Sequence, residues 1–75
     1  MITIYTTPSC VYCKVAKEYF KKEGLEYKEV DVVLDEAARE DMIKKSGQMG
    51  VPVIEINGKI VIGFNKREID QALGK

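Results

Sequence analysis

Between Ile2 and Val33 the chain reads strand, helix, strand, and that succession leaves few folds open. An apolar, β-rich start, Ile2-Thr3-Ile4-Tyr5, predicts a strand over residues 1–6. A helical period follows over residues 10–23: Val11, Val15, Ala16, Tyr19 and Phe20 recur on one face, and Lys14, Lys17, Glu18, Lys21 and Lys22 fill the other. Gly24 is a good helix stop, because it accepts the left-handed conformation past the last turn. Glu26 to Val33 predicts a second strand, with Tyr27, Val30 and Val32 as its apolar members. A β-α-β unit of this kind takes a right-handed crossover and pairs its strands in parallel.

The rest of the chain continues the alternation. Asp35 is an N-cap candidate for a helix over 36–46, with Ala38, Met42 and Ile43 as its apolar positions and Gly47 as its end. Val51–Ile56 and Lys59–Ile62 read as strands joined by Asn57-Gly58, a dipeptide that favours a type I′ turn and therefore an antiparallel hairpin. Asn65-Lys66-Arg67-Glu68 resembles a capping box opening a last helix that buries Ile69, Ala72 and Leu73. The expected architecture is α/β, in the order β-α-β-α-β-β-α, with one four-stranded mixed sheet and helices on both faces. At 75 residues, without repeat or linker, residues 1–75 are expected to form one domain, acting as a monomer.

The charge balance narrows the function classes. Twelve basic residues offset 12 acidic ones, so no global basic field attracts nucleic acid or an anionic membrane surface. No apolar run approaches the roughly 18 residues of a membrane span. The start lacks the basic and long apolar regions of a signal peptide, so a cytoplasmic location is expected. There thiols are kept reduced, and a disulfide is more often catalytic than structural.

Both cysteines of the chain lie in Cys10-Val11-Tyr12-Cys13, at the junction of the first strand and helix. Two thiols at this spacing can close a small disulfide reversibly. Cys10 at the helix N-terminus would face unpaired backbone N–H groups and the positive end of the helix dipole. Both favour the thiolate, which is the nucleophile of disulfide exchange. Lys14, one turn on, adds favourable charge. Cys13, a turn deeper, would keep a higher pKa and act second. Three other readings stand beside this one. A zinc half-site wants four ligands, and the chain has no His and no third Cys. A structural disulfide over so short a loop constrains the unfolded chain by only about 2 kcal/mol. An iron–sulfur or metal carrier using Cys10 would need ligands from a second protomer or external thiols.

Val51-Pro52 is a second candidate site. Pro52 cannot donate to a sheet ladder and would begin the strand. It is either an ordinary strand-starting proline or the second residue of a cis bond near the dithiol. A cis bond would leave the Val51 N–H and carbonyl free to pair with an extended substrate segment.

Taken together, Ile4-Tyr5-Thr6-Thr7-Pro8-Ser9-Cys10-Val11-Tyr12-Cys13, Gly50-Val51-Pro52-Val53 and Ile62-Gly63-Phe64 resemble the glutaredoxin group of the thioredoxin superfamily. The resemblance covers almost the whole chain. It implies a thioredoxin-like fold with sheet order 2-1-3-4, a cis Pro52, Cys10 as nucleophile and Cys13 as resolving thiol. It also implies a disulfide-containing protein substrate that meets the site through Val51, Pro52, Tyr12, Gly63 and Phe64. No tightly bound cofactor is implied.

The reductant is where the sequence departs from that pattern. Glutaredoxins commonly carry Lys three residues before the first cysteine, where this chain has Thr7. They commonly follow the last strand with Gly-Gly and acidic residues that hold glutathione; here the stretch is Gly63-Phe64-Asn65-Lys66-Arg67. A missing carboxylate removes a charge-assisted bond to the ligand's ammonium group. The Gly-Phe pair is similar instead to the redoxins that serve ribonucleotide reductase and draw electrons from thioredoxin reductase, although Val61-Ile62 stand where those often carry Trp. Thioredoxin reductase or glutathione, the latter as co-substrate, is the expected electron source. Thioredoxins also hold a buried acid behind the dithiol, and the first strand offers none. Lys44, Lys45 and Gln48 could grip a peptide carboxylate or simply end a helix in solvent.

Overall fold

The computed structural model describes residues 2–74; Met1, in the expected first strand, lies outside them. The chain forms β1 (Ile2–Thr6), α1 (Val11–Lys22), β2 (Tyr27–Asp31), α2 (Glu36–Ser46), β3 (Val53–Ile56), β4 (Lys59–Ile62) and α3 (Lys66–Leu73). The four strands lie in the order β2-β1-β3-β4. β1 and β2 run parallel, Ile4 beside Glu29 and Thr6 beside Asp31. β3 runs antiparallel to both β1 and β4. This is the expected fold class, element for element.

Strand alternation divides the core between the two faces of the sheet. Ile2, Ile4, Ile54 and Ile56 face Ala16 and Phe20 of α1 and Ile69 of α3. Tyr5 and Val53 face the other way, onto Met42 of α2 and Val32. Removing each of the larger aliphatic and aromatic side chains from water contributes roughly 1.5–3 kcal/mol. Polar ties fix α2 to its face. The Lys45 Nζ lies 3.0 Å from Glu55 of β3 and 3.2 Å from Asp41, and it donates to the Tyr5 hydroxyl at 3.4 Å. Across the opposite face, the Tyr19 hydroxyl of α1 donates to Asp70 of α3.

Local chemistry sets the helix bounds. The Asp35 carboxylate accepts the Ala38 N–H at 3.0 Å, and Gly47 ends α2 at φ 73°, as the sequence predicts. Asn65 likewise accepts the Glu68 N–H and opens α3.

Four expectations are corrected. β2 stops at Asp31 rather than Val33, because the Asp31 carboxylate accepts the Val33 and Leu34 N–H groups at 2.8 and 3.3 Å and turns the chain. β3 begins at Val53 rather than Val51. The inward face of α1 is Cys13, Ala16 and Phe20, while Val11 and Val15 point to solvent. Ala72 and Leu73 pack at the core margin, half-buried rather than buried.

Candidate active site

The strand directions bring four connections to one end of the sheet. β1 ends there and leads into the cysteine loop; β2 ends there in the Asp31 turn; β3 starts there after Val51-Pro52; β4 ends there at Gly63. The Cys10 N–H donates to the Thr7 carbonyl at 3.2 Å and closes the first loop. Cys10 itself is the N-cap of α1, with extended backbone at φ −83° and ψ 113°. Its Sγ accepts the Cys13 backbone N–H at 3.1 Å. Asp35 and Asn65 receive the same N3 N–H at the heads of α2 and α3, so sulfur here takes the place of a capping oxygen. No acidic residue lies in the first turn of α1 to oppose charge on that sulfur.

Cys10 and Cys13 are joined in a disulfide with their Cα atoms 5.2 Å apart. The two sulfurs have unequal access: Cys13 is only 1% exposed, whereas Cys10 is half-buried. Tyr12 stands 65% exposed beside them. The Val51–Pro52 bond is cis. The Pro52 carbonyl accepts the Gly63 N–H at 2.8 Å, which ties the loop after β4 to the proline loop. Gly63 holds φ 74°, a conformation that favours glycine.

Phe64 belongs to the same loop, but its ring meets the Tyr19 ring edge-on at 5.9 Å and packs against the α1–α3 core. Lys45 and Gln48 do not join the site. Lys45 is held by Glu55 and Asp41, and Gln48 bonds Gly50 through both ends of its amide. Sequence reasoning gave no role to Glu29, which parallel pairing sets next to β1. The Thr6 hydroxyl donates to it at 3.2 Å and Lys17 at 2.7 Å, and the Lys17 ammonium holds the Glu29 carboxyl below its ordinary pKa. Only the register of β1 against β2, read with α1 above it, could have revealed this group.

Among the described residues, no three His, Cys, Asp or Glu side chains converge on a metal site, and no helix is long and apolar enough to cross a membrane. A thioredoxin-like sheet carrying a helix-capping cysteine bridged to a buried partner, beside a cis-proline loop, defines a thiol–disulfide oxidoreductase.

The chain belongs to the glutaredoxin family, whose model, described as Glutaredoxin, matches residues 2–61. Over its full length it is 49% identical to a glutaredoxin-like 8.6 kDa protein in the rubredoxin operon of Clostridium pasteurianum, covering 100% of both chains. A solved thioredoxin-like protein superposes with TM-score 0.88 at 33% identity, over 96% of this chain and 99% of the other. NrdH-redoxin from Escherichia coli, a glutaredoxin-like protein with a thioredoxin-like activity profile, superposes with TM-score 0.84 at 27% identity, over 93% and 91% of the two chains.

Proposed function

We propose that this protein reduces protein disulfides by a two-thiol mechanism and is recharged by a thioredoxin-reductase-type flavoprotein rather than by glutathione. The unequal access of the two sulfurs carries the mechanism. In the reduced protein the Cys10 sulfur, reacting as its thiolate, attacks one sulfur of the substrate disulfide. A Cys10–substrate S–S bond forms, the substrate S–S bond breaks, and the leaving sulfur departs as a thiolate that takes up a proton. Cys13 then gives up its proton and attacks the Cys10 sulfur. The substrate leaves as its second thiol, two electrons have passed to it, and the Cys10–Cys13 disulfide remains. Val51, Pro52, Tyr12 and Gly63 lie at the same end of the sheet as Cys10, and in this reading they hold the substrate segment. The half-buried Phe64 shapes the loop from behind through its packing on Tyr19.

Two features support the choice of reductant. Thr7 offers no ammonium group to a glutathione carboxylate, and the loop after β4, Gly63-Phe64-Asn65, holds no carboxylate to receive the ligand's own ammonium, the first turn of α3 adding Lys66 and Arg67 instead. The redoxin neighbour from Escherichia coli, with its thioredoxin-like activity profile, points the same way. Insulin reduction coupled to NADPH, run once with thioredoxin reductase and once with glutathione plus glutathione reductase, tests the reading. Turnover is expected with the first system. Efficient turnover with the second alone would reverse the choice.

A further inference from the structure

A groove opens beside the dithiol end of the sheet, with a volume of about 250 Å³. Thr7 and Val51 form its near wall, and both belong to the loops that flank the cysteines. Met42, 1% exposed, lies at its floor. Val33 and Met49, 63% and 59% exposed, form its far rim. Arg39 and Glu36 border the mouth with one charge of each sign, so the groove has no net charge with which to select a charged ligand. The Val33 side of the rim is held in a turn: the Asp31 carboxylate takes the Val33 N–H at 2.8 Å, and Asp35 donates its own N–H to the Asp31 carbonyl at 3.1 Å. Small-molecule pockets run to roughly 300–1,000 Å³, and this groove falls below that range. It suits one large side chain on an extended segment, not a cofactor.

On the two-thiol reading of the site, we propose that this groove selects protein substrates carrying a large aliphatic side chain next to the reacting cysteine. Thr7, whose carbonyl receives the Cys10 N–H at 3.2 Å, and Val51 border the groove, so on this proposal a segment whose cysteine meets Cys10 passes along its near wall. The adjoining side chain is therefore delivered to an apolar recess, and its burial adds to the attraction.

Symmetric peptide disulfides test this without any choice of reductant. Each contains two copies of a short peptide with a single cysteine, and Leu stands either directly before or directly after it; control peptides have Gly at both places. The reduced protein is mixed with each peptide, quenched by alkylation, and the Cys10–Cys13 disulfide is quantified by mass spectrometry. At one of the two positions Leu is expected to speed the reaction about 10-fold over Gly, the ratio for about 1.4 kcal/mol. Val33→Asp and Met49→Lys, both at exposed positions, should bring that ratio close to one. A ratio near one at both positions in the wild type, or one untouched by both variants, overturns the groove and leaves the dithiol mechanism standing. Failure of every peptide, Gly controls included, overturns both.

Discussion

The backbone N–H of Cys13 points at the sulfur of Cys10, 3.1 Å away. The donor is a main-chain group, so it survives any change of the Cys13 side chain. In reduced Cys13→Ser protein, the Cys10 thiolate is therefore expected to titrate well below about 8.5, the value of a free cysteine. Ultraviolet thiolate absorbance against pH measures this directly. A midpoint at the free value would mean that the helix end does not activate the sulfur.

The order of attack gives a second expectation. Cys10→Ser should abolish disulfide reduction. Cys13→Ser should accumulate a mixed disulfide with the substrate, visible by mass as a one-to-one adduct. Sustained turnover of a dithiol-dependent substrate by that variant would remove Cys13 from its resolving role.

The pair Lys17 and Glu29 predicts a pH dependence of stability. The Lys17 ammonium lowers the Glu29 pKa from its ordinary 4.5 in the folded chain. A lowered carboxyl stabilises the fold at pH values above the unfolded-state pKa, and that contribution is lost as the pH falls through the folded value. The pair is partly exposed, so its worth is about 0.2–1 kcal/mol. Lys17→Met should cost that much near neutrality, and the gap from wild type should close on acidification below about 4.5. Denaturant titrations across acid pH would show it; a gap independent of pH would refute the linkage.

Phe64 and Thr7 together should govern glutathione use. Thr7→Lys with Phe64→Gly is expected to raise glutathione-coupled turnover by about tenfold, equivalent to about 1.4 kcal/mol. The same change removes the ring that packs on Tyr19, so a stability loss of about 2 kcal/mol should accompany it, below the 3–5 kcal/mol of a fully buried Phe. No gain in turnover would show that these positions do not decide the reductant.

What the sequence disclosed depended on how local the controlling chemistry was. Asp35 and Gly47 bound α2 through their own side chain and φ, and Asn57-Gly58 made its turn through two residues, so these were legible. The end of β2 was not, because Val32-Val33-Leu34 has strand composition and the Asp31 carboxylate overrides it. The inward face of α1 was ambiguous for another reason. Val11 with Val15 and Cys13 with Ala16 and Phe20 both satisfy a helical period, and only docking on the sheet selects between them. The cysteines announced themselves by spacing. The groove did not, since Thr7, Val33, Met42 and Met49 meet only through the tertiary fold.

The strand directions also give the molecule two unlike poles. β3 leaves the dithiol end at Val53 and β4 returns to it at Ile62, so Asn57-Gly58 turns at the far end of the sheet, exposed. Nothing in the redox site depends on that turn beyond the pairing it closes. It is the natural attachment point for a tether, a reporter or an inserted segment, because exposed hairpin tips tolerate added chain. A protein immobilised there would present its cysteines outward to any disulfide that reaches it.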